Sequence, residues 1–131
     1  IMLRMQSDLV ELCLAGCAGE LDKKEAHYDS RAAVGVVLAA ANYPGEPQKG
    51  AVISGLDAGN NIDVKLFQAG TAEQNGQVVT NGGRVLCATA LGHTVLEAQQ
   101  QAYELAKQVS WDGMFYRNDI GYRAIAREQA Q

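Results

Sequence analysis

Long apolar runs, proline and patterned cysteines are scarce in this sequence of 131 residues. The longest apolar run covers residues 32–41, which is too short for the roughly 20 residues of a membrane-spanning helix. Residues 4–8 are mostly polar where a secretory signal would be apolar, so we expect no signal peptide. The three cysteines lack the spacing of a disulfide framework, which favours a reducing, cytoplasmic environment.

Positive charge is also in short supply, since the formal net charge is −4. This balance disfavours a general nucleic-acid-binding protein but leaves room for one local basic site. Apolar residues make up 47% and charged residues 20% of the chain, a composition typical of a globular domain rather than a disordered segment. Neither GxxxxGK[ST] nor GxGxxG occurs, so no recognisable motif for binding ATP is present.

Three segments have helical signals. Ser7 as an N-cap, followed by apolar residues at helical spacing, predicts a helix over 7–18 that ends at Gly19. Thr94 and Glu97 form a capping box that predicts a second helix over 95–109. Residues 123–129 can form a terminal helical turn. The polar stretch 20–30 is typical of an exposed connection.

Alternation of apolar and polar residues predicts several short strands. The Asn75-Gly76 dipeptide is typical of a hairpin turn between two of them. Strands followed by a helix packed on them predict an α+β fold with a small antiparallel sheet. The predicted strands cover residues 31–42, 50–56, 62–67, 77–79, 84–91 and 111–117.

The best candidate site is the run Thr80-Asn81-Gly82-Gly83-Arg84. Paired glycines allow backbone conformations that other residues avoid, so that successive N–H groups can converge on an anion. The guanidinium of Arg84 can form two parallel hydrogen bonds with a phosphate or carboxylate. The alternative is an ordinary glycine turn that carries a surface arginine, and the pattern alone favours this alternative.

Other polar residues carry less information. Lys65 lies on a strand face, where a solvated side chain is favoured over a ligand contact. Arg123 follows Asp119 in a segment for which a helix-capping turn with a solvated arginine is favoured over a binding site. Cys13 and Cys17 share one helix face, but no third ligand lies nearby, so we expect buried thiols rather than a metal site. Cys87 alternates with apolar residues and is expected in the core, and neither His27 nor His93 has the partners of a catalytic triad.

Six short strings spread along the chain cover residues 1–9, 42–45, 67–71, 79–86, 89–92 and 119–124. They are similar to strings of phosphoribosylamine–glycine ligases, also called glycinamide ribonucleotide synthetases, and occur in the same order. The sequence therefore resembles the C-terminal part of this family over essentially its whole length. The resemblance implies an ATP-grasp ligase of purine biosynthesis. ATP would phosphorylate the glycine carboxylate, and the amine of phosphoribosylamine would then displace phosphate to give glycinamide ribonucleotide.

The resemblance also implies how the chain is divided. Residues 1–28 would be the C-terminal end of the ATP-grasp domain, including its last helix, and residues 29–131 the C-terminal domain with its hybrid-motif-like sheet. ATP and Mg or Mn would be held by the N-terminal and ATP-grasp domains of the same polypeptide. The segment alone would therefore be inactive, with no catalytic or metal-binding residue. The alternative is a stand-alone anion-binding or interaction module with a similar sheet.

For the substrate, the resemblance implies that Arg84 and the backbone of Asn81, Gly82 and Gly83 contact the phosphate of phosphoribosylamine. Lys65 and Arg123 are further candidates for substrate contact. The sequence departs from the family pattern at two positions, with Asn42 where glycine is expected and Gln68 where histidine is expected. Because Gln68 cannot titrate, this position has no acid–base role.

Overall fold

A computed structural model describes residues 1–59 and 61–130 and shows an α+β fold with antiparallel sheets. This confirms the predicted fold class. Among the residues described, none of the helices is both long and apolar enough to cross a membrane. The strands are β1 (Ala32–Ala39), β2 (Val64–Gln68), β3 (Thr71–Gln74), β4 (Gln77–Thr80) and β5 (Arg84–Gly92), and the α-helices are α1 (Leu9–Ala18), α2 (Val95–Lys107) and α3 (Tyr122–Gln129).

The main sheet has three antiparallel strands in the order β1-β5-β2. Ala88 in the central strand lies opposite Val36 on one side and Leu66 on the other, so these side chains share one face. Helix α2 packs on this face through Ala98 and Ala102, neither of which is exposed to solvent. Small side chains on both surfaces let the helix approach the sheet closely, and this layer forms the core.

The opposite face of the sheet, here called the outer face, is more open. It carries Gly35 and Val37 from β1, Cys87 from β5, and Lys65 and Phe67 from β2. The Val37 side chain is 41% exposed. The prediction that Cys87 lies in the core is wrong, because α2 packs on the other set of alternating residues and leaves this thiol partly exposed.

Strands β3 and β4 form a separate two-stranded sheet. Asn75 and Gly76 between them have φ values of 52° and 74°, the left-handed conformation that a two-residue type I′ hairpin requires at both positions. The hairpin prediction is therefore confirmed. Only its second strand is foreseen in the sequence, because β3 (Thr71–Gln74) is too polar to show an apolar alternation.

Two predicted strands, 50–56 and 111–117, are wrong. Val52 bridges to β4, whereas Ser54 bridges to Ser110, so residues 50–56 change partner before a ladder can form. Phe115 makes a single bridge to the end of β1. Both segments contain extended residues, but a strand needs successive pairs with one neighbour.

Helix α1 begins later than predicted, because Asp8 rather than Ser7 caps it. The Asp8 carboxylate accepts hydrogen bonds from the backbone N–H groups of Val10 at 2.8 Å and Glu11 at 3.4 Å. The Ser7 hydroxyl instead accepts from the backbone N–H of His27 at 2.7 Å. The helix ends as predicted at Gly19, whose φ is 71°.

The apolar side chains of α1 are largely uncovered. Val10 and Leu14 are each 65% exposed, and Ala15 is the one residue of this helix that is buried. The prediction that Cys13 and Cys17 are buried is wrong for this chain, since both thiols are exposed. The helix therefore presents an apolar surface to solvent on most of its circumference.

The capping box of α2 is confirmed. The Thr94 hydroxyl accepts from the Glu97 N–H at 3.1 Å, and the Glu97 carboxylate accepts from the His93 N–H at 2.7 Å. Helix α3 is docked on the same end, because the Glu128 carboxylate accepts from the Val95 N–H at 2.9 Å. A side chain from the end of the chain thus binds an N–H group that the helix itself cannot satisfy.

Asp29 joins the amino-terminal segment to the main sheet. Its backbone N–H donates to the carbonyl of Arg4, and the guanidinium of Arg31 bridges the carboxylates of Asp29 and Asp63 at 2.8 Å each. Hydrogen bonds from the Arg31 side chain and backbone lower the pKa of Asp29 from 3.8 to about 2. The charged carboxylate therefore stabilises the start of β1 and its approach to β2.

We expect Asp29→Asn to lower the free energy of unfolding at neutral pH. Because folding lowers the pKa of Asp29, its stabilising effect is fully present above the unfolded pKa near ~4 and is lost as the pH falls through about 2. Urea unfolding at pH 7, 4 and 2 should show the gap between wild type and variant shrinking toward pH 2. Asp112→Asn, which removes an exposed carboxylate elsewhere, is the control, and an unchanged gap at pH 2 contradicts the prediction.

Candidate functional site

The loop between β4 and β5 is held by backbone hydrogen bonds to the end of β2. The N–H of Asn81 donates to the carbonyl of Gly70 at 2.8 Å, and the N–H of Gly70 donates to the carbonyl of Arg84 at 2.9 Å. A Cβ atom on Gly82 would lie 3.1 Å from the Cα of Gly70. The two backbones therefore touch where the loop passes residue 70, which fixes the start of β5.

The two glycines of this loop are required for space rather than for an unusual conformation. Neither Gly82 nor Gly83 has a φ in the left-handed region that favours glycine. A Cβ on Gly83, however, would lie only 2.4 Å from Cδ2 of the Tyr43 ring. The sequence suggests that these positions need glycine for its backbone conformation. In the structure they need glycine because a side chain would not fit.

A second loop, residues 40–50, lies against the first and is called here the Tyr43 loop. Buried Thr80 anchors its far end, since the Thr80 hydroxyl accepts from the N–H of Ala51 at 3.1 Å and donates to the carbonyl of Gln48 at 3.4 Å. At the near end, the N–H of Ala40 donates to the carbonyl of Gly83 at 2.9 Å. The Tyr43 loop is therefore fastened to the 80–84 segment at both ends.

The two departures from the family pattern have simple structural counterparts. Asn42 has a φ of 69°, a conformation in which glycine is the default and asparagine the best-tolerated substitute. The side-chain oxygen of Gln68 accepts a hydrogen bond from the Thr71 hydroxyl at 2.9 Å. Asn42 thus tolerates the left-handed backbone of the Tyr43 loop, and Gln68 hydrogen-bonds across the turn between β2 and β3.

Arg84 is exposed at the start of β5, at the edge of the outer face. Together with Val37 and Tyr43 it forms the wall shared by two open grooves of about 260 and 480 Å³. Arg31 and Arg117 each pair with an aspartate, whereas no carboxylate within the described ranges lies within salt-bridge distance of Arg84. This guanidinium is therefore available to an anion from outside the chain.

The other two candidate cations lie elsewhere. Lys65 is opposite Thr89 on the outer face, five residues along β5 from Arg84, which corresponds to roughly 16 Å at the rise of a strand. Arg123 lies on α3, where it donates to the Tyr122 hydroxyl at 2.9 Å and stacks over that ring. The fold therefore does not gather the three cations around one small group.

Asp119 and Arg123 do not form the joint site that their spacing allowed. The Asp119 carboxylate accepts two hydrogen bonds from Arg117, at 2.6 and 2.8 Å. Gly121, with a φ of 85°, begins α3. The segment is thus the capping turn that was the alternative interpretation, and the Arg117 pair lowers the pKa of Asp119.

Sequence reasoning missed Tyr43 and Phe115 as parts of this region. Both rings line the smaller groove, and they are 37% and 43% exposed. The Tyr43-Pro44-Gly45 turn is visible in the sequence, but nothing local indicates which surface it contacts. Tyr43 and Gly83 are separated by 40 positions, so their contact depends on the whole sheet.

The family model described as "Phosphoribosylglycinamide synthetase, C domain" matches residues 33–123. The chain belongs to this family. The match begins at the second residue of β1 and ends in the first turn of α3, so it includes the main sheet, the hairpin, α2 and the Arg84 loop. The resemblance inferred from the short strings is thereby confirmed, and the C-domain family accounts for the part of the fold that carries the candidate site.

Longer relatives are named phosphoribosylamine–glycine ligase. The chain is 66% identical over 131 residues to the phosphoribosylamine–glycine ligase of Vibrio cholerae, and 63% identical over 131 residues to that of Pseudomonas putida. In both cases the match covers all of this chain and 30% of the relative. The chain thus spans about a third of the length of the curated relatives it matches.

A solved structure has the same fold. The crystal structure of phosphoribosylamine–glycine ligase from Thermotoga maritima aligns with a TM-score of 0.69 and 43% sequence identity. The alignment covers 84% of this chain and 26% of that chain. The C-domain fold described above is therefore that of the ligase structure.

We expect Gly83→Ala to lower the free energy of unfolding by roughly 1–3 kcal/mol, because the added methyl group overlaps the Tyr43 ring. Gly16→Ala is the matched control. A Cβ at position 16 meets nothing within 4 Å, and alanine should stabilise α1 by up to about 1 kcal/mol. Urea unfolding of both variants tests the pair. Equal stability of Gly83→Ala and wild type would show that the ring moves aside without cost.

Proposed function

We propose that this chain is the C-domain segment of a phosphoribosylamine–glycine ligase. That enzyme joins glycine to 5-phosphoribosylamine through a glycyl phosphate and releases ADP and phosphate in de novo purine biosynthesis. The observation that carries the proposal is 66% identity to such a ligase along the entire chain. Three free cysteines among the described residues fit a reducing, cytoplasmic setting.

Within that enzyme, Arg84 and the backbone N–H groups of Gly82 and Gly83 would hold the phosphate of phosphoribosylamine. The N–H of Asn81, the third predicted donor, already donates to the carbonyl of Gly70. A guanidinium forms two parallel hydrogen bonds with a phosphate, which lysine cannot do. Arg84 has no carboxylate partner among the described residues, and its exposed position at the start of β5 leaves the guanidinium open to an incoming phosphate. Lys65 and Arg123 remain further candidates for contacts with the rest of the substrate.

In this proposal the nucleotide and the metal bind outside this segment. Within the described part of the chain, no group of three or more His, Cys, Asp or Glu side chains could hold a metal ion. ATP and Mg or Mn would therefore be held by the rest of the ligase, the N-terminal and ATP-grasp domains. We accordingly expect the 131-residue chain alone to show no ATP-dependent ligation, and measurable turnover by it would contradict this proposal.

The division of the chain at residue 28 follows from the same proposal. Residues 1–28 would belong to the end of the ATP-grasp domain, and residues 29–131 would form the C-terminal domain. The support is the uncovered apolar surface of α1, on which Leu9, Val10 and Leu14 are 45%, 65% and 65% exposed. A surface of this kind is typical of a helix that packs on another domain.

We expect Cys13 and Cys17 to react quickly with a thiol reagent in this chain and slowly in a complete ligase. The complete ligase can be built as a chimera, in which this chain replaces the matching segment of the Vibrio cholerae enzyme; it is called here the ligase chimera. Mass spectrometry of labelled peptides identifies each thiol. Equal labelling rates in the two proteins would show that α1 has no partner in the other domains.

Removing Arg84 tests the proposed phosphate contact in the ligase chimera. We expect Arg84→Ala to lower kcat/KM for phosphoribosylamine. The loss should correspond to roughly 1–3 kcal/mol of transition-state stabilisation, the usual cost of losing a charged hydrogen bond. The KM values for ATP and glycine should stay unchanged. Arg84→Lys should recover part of the loss, because it restores the charge without the paired hydrogen bonds.

Arg127→Ala is the matched control for this experiment, since Arg127 is an exposed arginine on α3. It should leave all three KM values unchanged. Unchanged kinetics of Arg84→Ala would remove Arg84 from the site. An equal change in the three KM values would indicate a general structural effect instead of a phosphate contact.

A further inference from the structure

The Tyr43 ring is packed directly on the backbone that precedes Arg84. The three nearest heavy atoms to a Cβ built on Gly83 all belong to this ring, at 2.4, 3.1 and 3.5 Å. The ring therefore occupies the space that a side chain at position 83 would fill. Gly83 is followed at once by Arg84, so the contact lies one residue from the candidate phosphate ligand.

Hydrogen bonds hold the ring in this place through its loop. Gly50 N–H donates to the carbonyl of Thr80 at 2.7 Å, Ala40 N–H donates to the carbonyl of Gly83, and the N–H of Gln48 donates to the carbonyl of Ala41 at 3.1 Å. The first two bonds tie the loop to the 80–84 segment, and the third closes the loop on itself. The backbone of the Tyr43 loop is therefore tied to the segment that the ring covers.

Tyr43 and Arg84 also form one continuous wall, since both side chains line the same two grooves. Arg84 has no charged partner among the residues described to fix its direction. Two successive glycines before it leave the backbone with more freedom than any other pair of residues would. The Tyr43 ring fills the space over Gly83 and so restricts the backbone directly before Arg84.

We propose that Tyr43 is a positioning residue that holds the Gly83 backbone and thereby aims the Arg84 guanidinium at the substrate phosphate. This inference rests on the proposed phosphate-binding role of Arg84. The bulk of the ring carries the effect, because the Tyr43 hydroxyl has no hydrogen-bond partner within residues 1–59 and 61–130. A guanidinium ordered before binding loses less entropy when the phosphate arrives.

The proposal is tested by removing and restoring the ring in the ligase chimera. Tyr43→Ala should raise the KM for phosphoribosylamine roughly tenfold, with little change in the KM for ATP or in the thermal midpoint. Tyr43→Phe should restore the affinity lost in Tyr43→Ala. Leu96→Ala is the matched control, because Leu96 on α2 is also 37% exposed and lies outside both grooves.

A double-variant cycle tests the contact itself. Gly83→Ala should raise the KM for phosphoribosylamine by about the same factor as Tyr43→Ala, because its methyl group displaces the ring. In the Tyr43→Ala background, the methyl group added at position 83 has no ring to displace. The variant Tyr43→Ala/Gly83→Ala should therefore resemble Tyr43→Ala alone, about tenfold above wild type instead of about a hundredfold.

The outcomes separate this inference from the proposed function. If Arg84→Ala raises the KM for phosphoribosylamine but Tyr43→Ala does not, the positioning role is overturned and the phosphate contact stands. Independent effects of the two substitutions in the double variant also overturn it, as does an equal rise in the KM for ATP. If Arg84→Ala has no effect, the proposed phosphate site itself fails.

Discussion

The close approach of α2 to β5 is the constraint on which the remaining structure depends. A Cβ on Gly92 would lie 2.3 Å from the backbone nitrogen of Ala98, and Ala88 and Ala102 are fully buried between strand and helix. Only small side chains permit this separation. Because the helix occupies one face of the sheet, the residues of the other face must point away from the core.

The same arrangement leaves Arg84 exposed at the opposite end of β5. Arg84 begins the strand beside the outer face, where the end of β2 and the Tyr43 loop meet its backbone through Gly70 and Gly83. The polar side chains nearby are mostly engaged in holding the loops, as Thr80 does with both of its hydrogen bonds to the Tyr43 loop. The exposed guanidinium has no carboxylate partner among the described residues, so it is available to an anion such as a phosphate.

Helix α1 is not covered by the packing that forms the core. Its apolar side chains are as numerous as those of a core helix, yet only Ala15 is buried. The backbone of residues 4–6 is nevertheless paired with residues 27–29, and Arg31 ties Asp29 to the main sheet. The segment is thus connected to the main sheet at its base, while the helix itself presents an apolar surface to solvent.

Local signals predicted much of this fold correctly. The Asn75-Gly76 turn, the Thr94-Glu97 capping box and the Gly19 stop all depend on residues within one turn of each other, and the structure has them as expected. The failures concern partners that are distant in sequence. Residues 50–56 have strand-like composition but exchange one partner for another. The Ser7 hydroxyl accepts a hydrogen bond from the His27 N–H instead of capping its own helix.

By itself, the sequence determined the fold class, the family and the loop that carries Arg84, because these depend on short strings and on periodicities of 2 and 3.6 residues. Only the tertiary structure decided which face of the sheet α2 covers, and with it the exposure of Cys87 and Val37. It also decided that Gly83 is small because Tyr43 needs the space. Alternation shows that two faces exist, but which one is buried depends on an element elsewhere in the chain.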